Sequence, residues 1–327
     1  MFLLKRLAHM LDAAGRKSAR RLFESGPDQF SGRKVGRRNE CHQRFNAPIS
    51  IVQCFVLVLI VMVMLPEKRA AAQSLRLSNA DLCNGAEGRS AESQIIGCSA
   101  LIKSGVNTPK VLAIAYNNRG NGYSGIGEYE RAIHDYSESI NIEPHDAKPF
   151  NNRGVAYQRM GEYDRAIADF GAAIAIDPNY ANAFANRGET YQKKGEFTLA
   201  LKDFDDAIRL RPELAAVWNE RCWTHAVIGE LQSALADCNE AMRLEPNGVA
   251  ATFDSRGLVH LKMGEWKLAV VDFSSALRLD PKLASARYGR GLAKLKSGDP
   301  TGGKADTAAA KAIERDIEEK FHGYGIQ

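Results

Sequence analysis

Charged side chains recur in this chain of 327 residues at fixed intervals, and they are the first candidates for chemistry. Six arginines are each followed by an aspartate sixteen residues later, and the arginines succeed one another at steps of 34, 34, 34, 35 and 34 residues. The pairs are Arg119–Asp135, Arg153–Asp169, Arg187–Asp203, Arg221–Asp237, Arg256–Asp272 and Arg290–Asp306. They can form a cationic ladder along a binding groove, or ion pairs that fix the packing of two helices. Because both charges persist in all six copies, we favour the structural ion pair.

Catalytic patterns are missing from the sequence. The seven histidines are scattered, and His225 and His260 take places that tyrosines fill in other copies, so packing explains them better than catalysis. There is no glycine-rich phosphate loop after a strand, no G-x-S-x-G and no H-E-x-x-H motif. The cysteines lack the C-x-x-C spacing of a metal site. We therefore expect no enzymatic activity, no cofactor and no metal.

The elements that must position these pairs are helical hairpins. In the second copy the first helix opens at Phe150 and ends at Gly161, and the next helix runs from Tyr163 to Pro178, which cannot continue it. Apolar residues at helical spacing supply a buried stripe in each copy. Because one hairpin cannot bury its apolar face alone, neighbouring hairpins must stack into a solenoid.

The order aromatic, Arg-Gly, Tyr, Gly-Glu-Tyr, Ala, Phe, Ala and Pro at a period of 34 residues resembles the tetratricopeptide repeat. The resemblance implies an all-α fold, a right-handed superhelical solenoid of helix-turn-helix hairpins. The predicted repeats span 113–146, 147–180, 181–214, 215–248, 250–283 and 284–317. The last is degenerate at Gly303, Thr307 and Arg315. A divergent leading hairpin is expected at 79–112 and a C-terminal tail at 318–327.

Two disulfides are expected within hairpins. A glycine and an aromatic residue sixteen positions later face each other in most repeats, as with Gly154 and Phe170, but in the fourth repeat they become Cys222 and Cys238. A joint replacement at a contacting pair indicates a disulfide. Cys83 and Cys98 are 15 residues apart in a similar pattern and are expected to close the leading hairpin in the same way.

A partner is expected on the concave face, which in this family is lined by the first helix of each repeat. The resemblance then implies a groove that runs from polar amides to apolar residues and binds a protein or peptide. The predicted groove residues are Asn117, Asn121, Lys148, Asn151, Asn152, Asn186, Lys193, Trp223, Leu258, Leu261, Tyr288 and Leu292. Trp223 is the expected centre of binding. Two alternatives stay open, namely that the asparagines satisfy neighbouring helix ends and that the tail 321–326 folds back onto Trp223 and the apolar end.

The N-terminal region predicts export. Residues 1–72 contain 13 lysines and arginines against 5 acidic residues, a net charge of +8, whereas residues 73–327 carry −3. We interpret 1–48 as a basic, disordered tail and 49–72 as a hydrophobic signal or anchor segment, with Ala70–Ala72 as a cleavage site. If uncleaved, residues 49–65 would hold the protein in the inner membrane with the repeats outside the cytoplasm; otherwise the repeats are periplasmic. A weakly acidic repeat region excludes nucleic acid as the expected partner. A chaperone-like factor for envelope proteins is the alternative function.

Overall fold

The computed structural model describes residues 79–84, 90–105 and 108–326, and every element within them is a helix. The predicted basic tail and hydrophobic segment lie outside these residues. None of the described helices is both long and apolar enough to span a bilayer. After a short helical segment at 79–83 the helices are α1 (Ala91–Lys103), α2 (Pro109–Gly125), α3 (Tyr129–Ile142), α4 (Ala147–Arg159), α5 (Tyr163–Ile176), α6 (Ala181–Lys193), α7 (Phe197–Leu210), α8 (Ala215–Ile228), α9 (Leu231–Leu244), α10 (Ala250–Lys262), α11 (Trp266–Leu279), α12 (Ala284–Ser297), α13 (Pro300–Ile313) and α14 (Ile317–Gly323).

The helices form antiparallel hairpins in series, which confirms the predicted fold class. From α4 onward the first helix of each hairpin begins at the first residue of a predicted repeat. The exception is α2, which begins at Pro109, four residues before the predicted repeat. Thr108 caps it by accepting a hydrogen bond from the Val111 amide, and proline is favoured at the first helical position.

Close packing inside each hairpin depends on a glycine opposite an aromatic ring. A Cβ added at Gly154 on α4 would lie 2.7 Å from Phe170 on α5, and Gly188 stands in the same relation to Phe204. Both rings are completely buried. Since any side chain at the glycine would collide with the ring, this pair sets the separation of the two helices.

The hairpins stack through a continuous series of small residues and rings. Ala132, Ala166, Ala200, Ala234 and Ala269 have no exposed surface. Each second helix packs against the first helix of the next repeat, and first helices of successive repeats also touch one another, whereas second helices do not. The first helices therefore line the inner face of the superhelix, where the groove was predicted.

A further helix, α14, lies where a C-terminal tail was predicted at 318–327. Ile317 and Phe321 on this helix are buried, at 2% and 3% exposure. They join the apolar cluster formed by the last three repeats. The C-terminal segment thus packs through apolar contacts against the solenoid.

Candidate functional site

Each of the six arginines binds its aspartate through two parallel hydrogen bonds. Nε and Nη2 donate to the two carboxylate oxygens over 2.7–2.8 Å in every copy. The hydrogen bond to Asp203 raises the pKa of Arg187, and its desolvation opposes the shift. Because the pairs join two helices of one hairpin and are largely buried, their position fits a structural role better than a ligand ladder.

The third guanidinium nitrogen usually reaches back to the preceding repeat. Nη1 of Arg153 donates to Ser137 Oγ over 2.9 Å, and Nη1 of Arg221 donates to Asp205 over 2.6 Å. The other such contacts are Arg119 to Ser99, Arg256 to Asn239 and Arg290 to Ser274. The series therefore links repeats as well as helices.

Both cysteine pairs form disulfides in the structure. The Cys222–Cys238 bond joins α8 to α9 with a Cα–Cα distance of 5.3 Å, and the Cys83–Cys98 bond joins residue 83 to α1 at 4.5 Å. All four residues are buried. Each bond closes within one hairpin, so neither links neighbouring repeats.

The asparagines of the early repeats bind one another across the inner face. Asn152 Nδ2 donates to Asn117 Oδ1 over 3.0 Å and to Asn121 Oδ1 over 3.1 Å, and Asn186 Nδ2 donates to Asn151 Oδ1 over 2.9 Å. The hydrogen-bond partners of these asparagines are side-chain amides of the adjacent repeat. They are not the ends of neighbouring helices, which one of the two alternatives had proposed. Part of the hydrogen-bonding capacity of these predicted groove residues is therefore already used within the protein.

A cavity of about 390 Å³, here the Asn121 cavity, opens beside these amides. Asn121, Asn152 and Arg159 line it, together with Tyr136, whose hydroxyl donates to Asn121 Oδ1 over 2.9 Å. Lys148 is exposed on α4 but is not part of this lining.

A larger cavity of about 530 Å³, here the Asp254 cavity, lies between α6, α8 and α10. It brings together two predicted groove residues, Lys193 and Trp223. The rest of its wall was not predicted as a site. It consists of Gln192, Asn219, Glu220, Ala250, Ala251, Asp254, Ser255, Asp280 and Leu283.

Two carboxylates of the Asp254 cavity, those of Asp254 and Glu220, are half-buried, whereas Asp280 is exposed. Burial raises the pKa of Asp254 to about 7, although Ser285 Oγ, 2.6 Å from Asp254 Oδ2, favours the charged form. Burial also raises the pKa of Glu220, and the charge of Glu189 adds to that shift. A hydrogen bond from Gln192 and the charge of Lys193 partly oppose the shift of the Glu220 pKa, whereas no charged group opposes that of Asp254 in the described part of the chain.

The apolar end of the predicted groove is covered. Leu258, Leu261 and Tyr288 are 4–5% exposed and belong to the same apolar cluster as Phe321, with Leu292 packed at its edge. The ring of Phe321 lies 4.9 Å from the ring of Tyr288. These three residues are therefore not an open surface in this structure, and the C-terminal segment contacts Tyr288 through Phe321. Their binding to a partner stays a prediction.

Trp223 contacts the same segment. The ring of Tyr324 meets it edge-on at 5.3 Å, and the ring of Phe197 lies 6.3 Å away. Lys262 Nζ donates to the Tyr324 carbonyl over 2.7 Å and to the carbonyls of Ala226 and Val227 at the end of α8. Trp223 is thus shared between the wall of the Asp254 cavity and the packing of the C-terminus.

Among the described residues, no group of three or more histidine, cysteine, aspartate or glutamate side chains is arranged to hold a metal ion. What the site offers is an inner face with two cavities, one rich in amides and one rich in carboxylates. The fold defines a helical-repeat solenoid.

Comparison with known proteins identifies the repeats. A family model described as "TPR repeat" matches residues 120–161, 160–195 and 256–298, and one described as "Tetratricopeptide repeat" matches 181–214. Residues 120–214 and 256–298 therefore match tetratricopeptide repeats, and a fold of such repeats indicates a protein–protein interaction scaffold. A search of curated proteins finds no match to the sequence.

Solved structures share the fold at low identity. A tetratricopeptide repeat protein from Parabacteroides merdae is 17% identical with a TM-score of 0.59, over 77% of this chain and 98% of its own. The protein pilF of Pseudomonas aeruginosa is 18% identical with a TM-score of 0.55, over 64% and 96%. A chain of the APC/C hetero-tetramer Cut9-Hcn1 is 15% identical with a TM-score of 0.60, over 76% of this chain. The present chain spans about half, 52%, of that relative.

Proposed function

We propose that this protein is a non-enzymatic scaffold that binds a peptide or protein segment along the inner face of its repeats, on the far side of a membrane. The observation that carries the proposal is the Asp254 cavity, an opening of about 530 Å³ on the inner face. Its volume is in the range of about 300–1,000 Å³ typical of ligand sites, and an aromatic ring stands beside its polar groups. Proteins with these repeats are generally scaffolds, which agrees with this interpretation.

Site-specific photo-crosslinking tests the inner face. A benzophenone amino acid is placed at Lys193 on the Asp254 cavity, at Asn121 on the Asn121 cavity, and at Lys202 on α7 as a matched control. All three side chains are exposed, and Lys202 is on the second helix of the repeat that contains Lys193. We expect the same crosslinked partner from positions 193 and 121 and none from 202. Equal crosslinking from all three positions would contradict the proposal.

The location outside the cytoplasm is part of the proposal. It is supported by the apolar run at 51–65, by Ala70–Ala72 and by two buried disulfides, which persist in oxidising compartments. An alkaline phosphatase fusion after residue 80 should be active, and a green fluorescent protein fusion at the same point should be dark. The opposite pattern would place the repeats in the cytoplasm.

The alternative of a chaperone-like factor requires an apolar surface for unfolded clients. The apolar residues predicted for the inner face, Leu258, Leu261 and Tyr288, are buried in the apolar cluster that also contains Phe321. Their burial supports a scaffold with a defined partner over a binder of many clients.

A further inference from the structure

The Asp254 cavity is lined by hydrogen-bond acceptors that have too few donors within the chain. Asn219 is 6% exposed, and its Oδ1 is buried without a hydrogen-bond partner among the described residues. Asp254 Oδ2 accepts from Ser285, whereas no hydrogen bond to its Oδ1 is seen in the described part of the chain. Buried acceptors without donors are uncommon in native proteins, and they often mark a missing ligand or water.

The charge of the lining is negative. It contains the carboxylates of Glu220, Asp254 and Asp280 and, among the described residues of the wall, a single cation, Lys193. The ammonium group of Lys193 lies 3.0 Å from Glu189 on its own helix and also attracts the charge of Glu220. One cation thus serves two carboxylates there, and Asp254 has no cationic partner among the described residues, which is costly for a partly buried carboxylate.

Trp223 adds a third feature to the wall. Its indole ring is partly buried and lines the same cavity as Glu220 and Asp254. A tryptophan face attracts cations, and a guanidinium group both stacks on it and presents five donors with no acceptor. A planar donor group of this kind matches a wall of two carboxylates, one unpaired amide oxygen and an indole ring.

We infer that the Asp254 cavity is the subsite that receives a basic side chain of the bound partner, with arginine preferred to lysine. The inference rests on the proposed function and adds to it the chemical class of the recognised residue. The amide-lined Asn121 cavity, which has Arg159 in its wall, contacts another part of the partner.

Proton release should accompany binding. Because burial holds the pKa of Asp254 at about 7, a cation in the cavity will favour the ionised carboxylate and displace its proton. Affinity should therefore rise as the pH increases through about 7. The charged and titratable groups around Asp254 are Lys193 on α6, Glu220 on α8, Asp280 before α12 and Tyr324 from the C-terminus, and Ser285 on α12 donates a hydrogen bond to it.

Titration calorimetry of the full-length protein with short blocked peptides tests this subsite. The probe is acetyl-Gly-Gly-Arg-Gly-Gly-amide, and the matched control carries citrulline, which keeps the shape of arginine without its charge. We expect the arginine peptide to bind at least about tenfold more tightly than the citrulline peptide. We also expect about tenfold weaker binding of the arginine peptide by the variants Glu220→Gln and Asp254→Asn. Glu130→Gln, an exposed acid on α3 outside both cavities, should leave affinity unchanged.

Each result decides a separate point. Equal affinity for the arginine and citrulline peptides, or unchanged affinity in both variants with native helicity, overturns the inference. Equal affinity for an otherwise identical lysine peptide keeps a basic subsite but overturns the preference for arginine. If acidic or apolar peptides bind and arginine peptides do not, the subsite is refuted while the proposed function stands. Failure of every peptide, together with absence of crosslinking from residue 193, counts against both.

Discussion

Arg187 differs from the other arginines of the repeat series in its contact with the preceding repeat. In the neighbouring repeats, Nη1 donates a hydrogen bond to the side chain sixteen residues earlier: Arg153 to Ser137 and Arg221 to Asp205. The residue sixteen before Arg187 is Gly171, which has no side chain to offer. A Cβ built at Gly171 would meet only the Nη1 atom of Arg187, at 3.7 Å, so there is room for a small polar group.

Gly171→Ser should therefore stabilise the protein. Glycine inside a helix costs about 1 kcal/mol relative to alanine, and serine about 0.5 kcal/mol. A new hydrogen bond from Arg187 to the serine hydroxyl adds about 1 kcal/mol. We expect Gly171→Ser to be at least as stable as the matched control Gly171→Ala in urea denaturation, although its helix propensity is lower. A serine variant less stable than the alanine variant would show that the contact does not form.

The fourth repeat offers a test of the glycine–aromatic contact. The double variant Cys222→Gly with Cys238→Phe restores the pair found in the adjacent repeats, for example Gly188 and Phe204. This double variant should fold. Reduction should lower its free energy of unfolding less than that of the wild type, which loses up to about 3 kcal/mol when the Cys222–Cys238 bond is broken. Cys238→Phe alone should be strongly destabilised, because the Cβ of residue 222 would meet the new ring. Thermal unfolding with and without reductant measures both effects, and equal sensitivity of double variant and wild type would contradict the first.

The raised pKa of Asp254 should make the free energy of unfolding depend on pH. Its pKa is about 7 in the folded protein against an ordinary value of 3.8, so the folded state holds a proton that the unfolded state has lost. The contribution of Asp254 to the free energy of unfolding is therefore greatest below about pH 4. It falls as the pH rises to about 7 and stays constant at higher pH. In Asp254→Asn this part of the slope should vanish. Identical slopes between these limits in variant and wild type would refute the assignment.

Two residues of the Asp254 cavity, Glu220 and Asp254, occupy repeat positions at which other copies carry asparagine. The residue before each repeat arginine is Asn118, Asn152 and Asn186 in the first three copies and becomes Glu220 in the fourth. One position earlier, the amide of Asn219 gives way to Asp254 in the fifth copy. The repeat pattern thus predicts that both face the groove. Their depth in the wall and the unpaired oxygen of Asn219 depend on how neighbouring helices stack, which spacing alone does not define.

At the scale of the helix, most element boundaries could be predicted because their signals are local. Glycines with φ near 78°, such as Gly161 and Gly195, end the first helices, since other residues rarely adopt this conformation. The C-terminal helix α14 is different. The alternative in which residues 321–326 fold back is the arrangement observed, but it depends on contacts with Trp223 and Lys262, about 60 to 100 residues away. Such long-range packing leaves no periodic pattern in a helix of 7 residues.

Phe321→Ala should release α14 from the solenoid. The ring is 3% exposed, and removal of a buried phenylalanine typically costs about 3–5 kcal/mol. Because α14 is terminal, we expect local loosening, with the fluorescence of Trp223 shifted to the red and binding of a hydrophobic dye increased. His322→Ala, at an exposed position on the same helix, is the control and should change neither signal. An unchanged spectrum in Phe321→Ala would mean that the C-terminal segment is held by other contacts.

At the scale of the whole solenoid, stability is distributed over repeats and their interfaces. Separate apolar clusters centre on the leading hairpin, on Tyr136, on Phe170, on Phe204 and on Phe273. An array of this kind is approximately a sum of repeat terms and nearest-neighbour terms. Unfolding can therefore proceed from one end without loss of the other.

The confinement of each disulfide to one hairpin has a mechanical consequence. If the chain is pulled from its two ends, the repeats should unfold one after another. The fourth repeat cannot extend fully, because the Cys222–Cys238 bond holds part of it closed. The sixteen-residue separation of Cys222 and Cys238 withholds about 50 Å of extension at roughly 3.3–3.6 Å per residue. In an optical trap the wild type should show one shortened step, which reductant lengthens by about 50 Å. The double variant Cys222→Gly with Cys238→Phe should show the long step throughout, and a step that reductant does not change would mean that this bond bears no load.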